Sequence, residues 1–199
     1  MQTNNTIILL RHGLTEHNNG FYGSTDSQLT DEGFKAMLEA VSNLNFDRII
    51  SSPLQRCAKV ARQLAQQRPC SYQTLPEWQE YHFGDWETLP IQQLWDEQPE
   101  AFTAFWQNPY QSTPPNAEAF DVFLDRLRKA KQHLVESCQT SRTLIITHAG
   151  VIRGLRLIAE QTSADEWLTY PVAHASLHHL CPHSGKVEPF TSLNASVNG

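Results

Sequence analysis

The chain has 199 residues, 40% hydrophobic and 18% charged, with a formal net charge of −6. That size suits one domain, 1–199, whose core needs no covalent staple. The negative charge argues against broad binding to nucleic acid or to an anionic membrane, both of which require a positive field, but it leaves room for a locally positive pocket. The four cysteines, Cys57, Cys70, Cys138 and Cys181, form no CxxC pair. The first residues, MQTNNTIILLRHG, lack a basic region and a long apolar run. Free thiols and a cytoplasmic location are therefore expected, with no membrane span. In that setting Asn194-Ala195-Ser196 carries no weight as a glycosylation acceptor. The polar tail from Thr191 is expected to fray.

Taken along the chain, Thr6 to Leu10 is a short Ile- and Leu-rich run ending at Arg11-His12-Gly13, the pattern of a buried parallel strand followed by a loop. Residues 14–30 are polar and read as loop. Thr30-Asp31-Glu32-Gly33 opens a helix carried by Phe34, Met37, Leu38 and Val41. Arg48 to Ser51 is a second strand. Ser51-Ser52-Pro53 reads as a Ser cap with Pro at the first helical position. Residues 88–117 are rich in Trp, Gln and Pro and predict a helical, lid-like excursion. Phe120, Phe123, Leu124, Leu127 and Leu134 mark an amphipathic helix. Thr143 to Thr147 is a third strand, again followed by a histidine and a helix from Ala149.

Strands alternating with helices predict an α/β three-layer sandwich, with a mostly parallel central sheet and helices on both faces. Ligands in such sheets sit beyond the carboxyl ends of the strands. Arg11-His12, Ser51-Ser52 leading to Arg56, and Thr147-His148 all fall there. Two histidines and two arginines around one pocket supply many donors and few acceptors, which suits a phosphoryl group. Alone, a strand-end histidine is more often structural than catalytic, and the pair could simply cap strands. His174, His178, His179 and His183 form a superficial metal cluster, but His178 and His179 would point to opposite faces of a strand, and no HExxH or Cys/His spacing is present. No metal or cofactor is expected.

RHGLTEHN, residues 11–18, resembles the RHGxTxxN signature of the histidine phosphatase superfamily, in its phosphoglycerate mutase-like branch. Further blocks follow in the family's order. They are GSTDSQLTDEG from Gly23, SSPLQRCAKVA from Ser51, EYHFGDWE from Glu80 and THAGVIR from Thr147. The resemblance covers about residues 6–155. It implies a phosphoglycerate mutase-like fold and a metal-independent phosphomonoesterase in which His12 attacks phosphorus. Arg11, Arg56 and His148 would hold the phosphoryl oxygens, with Asn18, Gly23 and Ala149 at the phosphate, and Glu80 would serve the leaving oxygen and then water. Only the motif register selects Glu80 over Glu77, Asp85 and Glu87. The sequence departs from the family where the loop 18–23 is short, where Thr88 replaces a usual Gly, and around Glu118, whose role is open. The acidic, aromatic stretch FGDWETLPIQQLWDEQPE offers few extra cations, so a bulky, partly aromatic phosphomonoester is expected over a phosphoglycerate. A broad-specificity phosphatase or mutase-like enzyme is the alternative, and a non-catalytic phospho-ligand binder ranks last. The oligomeric state is left open, a homodimer included.

Overall fold

The computed structural model describes residues 6–137, 141–164 and 166–190. Cys138, the polar tail and the Asn194 sequon lie outside the described residues. Six strands form one sheet: β1 (Thr6–Arg11), β2 (Arg48–Ser51), β3 (Ser71–Thr74), β4 (Arg142–Thr147), β5 (Leu177–Leu180) and β6 (Val187–Pro189), in spatial order β3-β2-β4-β1-β5-β6. The pairs β3–β2, β2–β4 and β4–β1 are parallel, whereas β1–β5 and β5–β6 are antiparallel. The helices are α1 (Asp31–Ala40), α2 (Gln55–Gln67), α3 (Ile91–Glu97), α4 (Pro99–Gln107), α5 (Phe120–Ser137), α6 (Ala149–Glu160) and α7 (Glu166–Thr169).

Alternation along the central strands produces two cores. Ile8, Leu10, Ile49, Leu144 and Ile146 pack with Met37 of α1 and Val60, Ala61 and Leu64 of α2. Ile7, Leu9, Ile50 and Ile145 face the other way, onto Leu124 and Leu127 of α5 and Ile152 and Leu155 of α6. Helices therefore cover both faces, and β1 and β4 are apolar on both sides because both sides are buried. Chain crossovers leave β1 and β4 toward opposite faces, and their carboxyl ends open a crevice between them. Register makes this crevice chemical. Arg11 pairs with Thr147, and the His12 N–H donates to the Thr147 carbonyl at 2.9 Å, so His12 and His148 follow adjacent strand ends.

α1 begins as its sequence suggests, with the Thr30 hydroxyl accepting from the Gly33 N–H at 2.9 Å. α2 does not begin at Ser-Pro. It starts at Gln55, whose N–H is capped from outside the helix by the Asp26 carboxylate at 2.7 Å. The Ser52 hydroxyl accepts from the Leu54 N–H at 3.3 Å, ahead of the helix, and is also engaged by His148. The 88–117 stretch contains α3 and α4, and their Leu94, Phe102 and Phe105 are buried in the same core as α5 and α6. Among the described residues no helix is long and apolar enough to cross a membrane.

Candidate active site

A cavity of about 310 Å³ opens at the carboxyl ends of β1 and β4. Its polar lining includes Arg11, His12, Asn18, Arg56, Glu80 and Arg153. His12 is buried, and its Nδ1 lies 2.8 Å from its neighbour's carbonyl, Gly13 O. A carbonyl only accepts, so Nδ1 carries the proton and Nε2 carries the lone pair. Burial, then the charges of Arg56 and Arg11, push the His12 pKa well below 6.5. The imidazole is therefore neutral, the form that can attack an electrophile.

Arg56 is almost completely buried. Its Nη1 donates to Thr25 O at 2.8 Å, and its Nη2 donates to Tyr22 O at 2.8 Å and Gly23 O at 2.7 Å. Its Nε donates to His148 Nδ1 at 3.2 Å. With four of the five guanidinium protons so committed, Arg56 is a fixed charge at the cavity wall and not a mobile fork. The same bond decides the second histidine. His148 Nδ1 accepts, so its Nε2–H donates to the Ser52 hydroxyl at 2.8 Å. His148 is fully buried, with its ring centroid 5.2 Å from that of His12. Both ring nitrogens of His148 are thus engaged by protein groups, and the ring is not among the side chains lining the cavity.

Arg11 donates to the Val172 carbonyl and, at 2.9 Å, to His174 Nε2. Partial burial lowers its pKa to about 10 despite the attraction of Glu80. His174 stands 5.7 Å from the His12 ring, and partial burial together with Arg11 lowers its pKa to about 4. Arg153 donates from Nε to Tyr170 O at 2.7 Å and lines the cavity. Glu80 spans two backbone donors, with Oε1 accepting from its own neighbour Tyr81 N–H at 3.0 Å and Oε2 from the Gly150 N–H at 2.9 Å. Ala149 occupies the first turn of α6, where N–H groups have no intrahelical acceptor and favour an anion.

Gly23 is not on the cavity wall, and its N–H donates to Glu87 at 3.1 Å, so it is not free for phosphate. Glu118 pairs with Arg126 at 2.7 Å, next to a separate cavity. Arg126 in turn donates to the carbonyls of Glu77, Gln79 and Glu80 and so holds the Glu80 backbone. Sequence reasoning assigned no role to Arg153, although it sits one turn into α6 behind His148. It grouped His174 with distant histidines. Among the described residues no group of His, Cys, Asp and Glu is arranged to hold a metal ion.

The model of the histidine phosphatase superfamily (branch 1) matches residues 7–194. The chain belongs to the histidine phosphatase superfamily. This histidine phosphatase is 34% identical over 154 residues to the adenosylcobalamin/alpha-ribazole phosphatase of Salmonella typhimurium (strain LT2), spanning 73% of this chain and 75% of the relative. It is 29% identical over 167 residues to the metal-independent phosphoserine phosphatase of Arabidopsis thaliana, spanning 79% of this chain and 70% of that one. The solved structure of Bacillus stearothermophilus YhfR has the same fold, with a TM-score of 0.83 at 25% identity over 94% of this chain and 96% of that one. The histidine phosphatase thus carries the phosphoglycerate mutase-like architecture expected from its sequence.

Proposed function

We propose that this histidine phosphatase hydrolyses a phosphomonoester through a phosphohistidine on His12, with α-ribazole 5′-phosphate as its substrate in cobalamin assembly. The observation that carries the mechanism is the neutral His12, its Nδ1 proton held by Gly13 and its Nε2 unprotonated in a cavity walled by Arg11, Arg56 and Arg153. Nε2 attacks phosphorus, a nitrogen–phosphorus bond forms, and the ester oxygen leaves with its electron pair. The arginines offset the charge spread over the phosphoryl oxygens, and the first N–H groups of α6 at Ala149 add to them. Glu80 is the carboxyl on the wall; its protonated form gives a proton to the leaving oxygen, and the carboxylate left behind takes one from the water that then splits the phosphohistidine, which restores the acid. Asn18, exposed at the mouth, borders the phosphate, while His148 fixes Arg56 from behind.

The substrate reading rests on the rest of the wall. Phe21, Phe83, Ile91, Trp106, Trp167 and Leu168 make one side of the cavity apolar and largely aromatic. α-Ribazole phosphate carries a benzimidazole that such a wall can cover, and the Salmonella relative is named for it. A phosphoglycerate would gain little there. In this reading 1–199 acts as a single cytoplasmic domain, with α3 and α4 contributing Ile91 and Trp106 to the substrate wall, and needs neither metal nor nucleic acid. The test is phosphate release, with chelator present, from α-ribazole 5′-phosphate, phosphoserine and 3-phosphoglycerate. The expected result is a kcat/KM for α-ribazole 5′-phosphate at least about 10-fold above the others. Equal values would leave a broad-specificity phosphatase, and phosphoryl exchange between phosphoglycerates would move the reading to a mutase.

A further inference from the structure

Glu87 lies outside the reaction cavity, with its side chain 11% exposed. Its carboxylate accepts four backbone N–H groups: Gly23 at 3.1 Å, Ser24 at 2.8 Å, Thr25 at 3.0 Å and Phe83 at 3.0 Å. The Ser24 hydroxyl and His82 Nδ1 stand at 3.4 and 3.3 Å. Burial opposes the charge, but the hydrogen bonds from Thr25, Phe83 and Ser24 outweigh it and hold the carboxyl below its usual pKa.

The loop that Glu87 gathers is the loop that holds Arg56. The peptide unit joining Tyr22 to Gly23 gives its N–H to Glu87 and its carbonyl to Arg56, and the unit joining Gly23 to Ser24 does the same. Two peptide dipoles therefore run head to tail from a carboxylate to a guanidinium, each end stabilising the other. Thr25 adds a third link, through its own N–H and carbonyl. A side chain at Gly23 would break this layer, because a Cβ there would come within 1.9 Å of Tyr81 O and 2.5 Å of Glu87 Oε1. From Arg56 the chain of bonds continues to His148 and Ser52.

We infer that Glu87 is a positioning residue for phosphoryl binding: through the 22–25 peptides it fixes the Arg56 guanidinium at the cavity wall. The inference rests on the phosphatase reading for its kinetic consequence, not for its geometry. Glu87→Gln keeps the shape but replaces one acceptor oxygen with a donor that faces other donors. Three readouts test it: kcat and KM for p-nitrophenyl phosphate, inhibition by vanadate, and the Nε–H resonance of Arg56 in arginine-labelled protein. The expected result is a kcat/KM about 10- to 100-fold lower, weaker vanadate inhibition and a displaced Arg56 resonance, with a circular dichroism spectrum like wild type. If Glu87→Gln does not fold, Glu87→Asp, which keeps the charge on a shorter arm, carries the same readouts. An unmoved Arg56 resonance with vanadate inhibition and kcat/KM within about 2-fold of wild type would overturn the inference. So would activity lost only in proportion to unfolded protein. A wild-type chain that releases no phosphate would contradict the proposed function, and the resonance of Arg56 would still decide the role of Glu87.

Discussion

Two neighbouring histidines, His12 on the cavity wall and His148 behind it, adopt opposite tautomers. His12 carries its proton on Nδ1, against Gly13 O, and His148 carries its own on Nε2, against Ser52. The difference follows from what each ring faces, a carbonyl in one case and a guanidinium in the other. Glu80 is positioned with comparable economy by Gly150, whose N–H binds one carboxylate oxygen and whose missing side chain leaves room for the other. A Cβ at Gly150 would stand 2.2 Å from Glu80 Oε1. Gly150→Ala is therefore expected to lower kcat about 10-fold or more by displacing the Glu80 carboxylate, with a circular dichroism spectrum like wild type to separate this from loss of fold. An unchanged kcat would remove Glu80 from the proposed mechanism. That Arg11, His12, Arg56 and Glu80 share one cavity was legible from their places in the motifs. Arg153 and His174 were not, since their part depends on where the α6 turn and the segment before β5 fold back. The bond from the Gly23 N–H to Glu87 was not legible either, because a glycine in a loop reads the same whether its backbone meets a phosphate or a carboxylate.

The strands and the helices that follow them were readable from short apolar runs and from caps placed within the same segment. Thr30 shows this, since the residue it caps is three positions away. The start of α2 was not readable, because its cap, Asp26, comes from a loop 29 positions earlier, and the nearby Ser52 serves His148. Thr88 gives a physical reason for the family's usual glycine. Its φ is +68°, a left-handed conformation that costs a β-branched residue about 1–2 kcal/mol. The strain is held by the Thr88 N–H, which donates to Phe21 O at 2.8 Å directly beside Glu87 and keeps the 21–25 loop against this segment. The α3–α4 excursion reads as helix from its composition. Its burial in the main core depends on Phe102 and Phe105 meeting Trp86 and Tyr81, contacts between aromatic rings far apart in sequence.

For the whole molecule, an acidic protein holds a cavity crowded with arginines and neutral histidines, and this sets how its stability answers to pH. His12 and His148 are buried, with pKa values well below 6.5, and His178 and His179 are lowered by burial as well. Above about pH 6.5 these groups are neutral in both states and contribute no slope. Below it the unfolded chain binds protons that the native chain does not, so stability falls as pH falls, by up to about 1.4 kcal/mol per pH unit for each fully buried histidine. The depressed carboxyl of Glu87 adds its loss only below its unfolded value of 4.5. Urea midpoints should therefore be flat above about pH 7 and drop steadily from about pH 6.5 to 5. A flat midpoint across that interval would show that these histidines accept protons in the native state.

In the proposed reaction everything turns on the covalent step at His12. Glu80→Gln is expected to slow hydrolysis of the phosphoenzyme, so brief exposure of that variant to a phosphorus-labelled, activated phosphomonoester, with chelator present, should trap label on the protein. The expected label is lost in acid, retained in alkali and mapped by mass spectrometry to His12, and it is absent when His12→Asn is added. Phosphate release that proceeds without any labelled intermediate, or that survives His12→Asn unchanged, would contradict it.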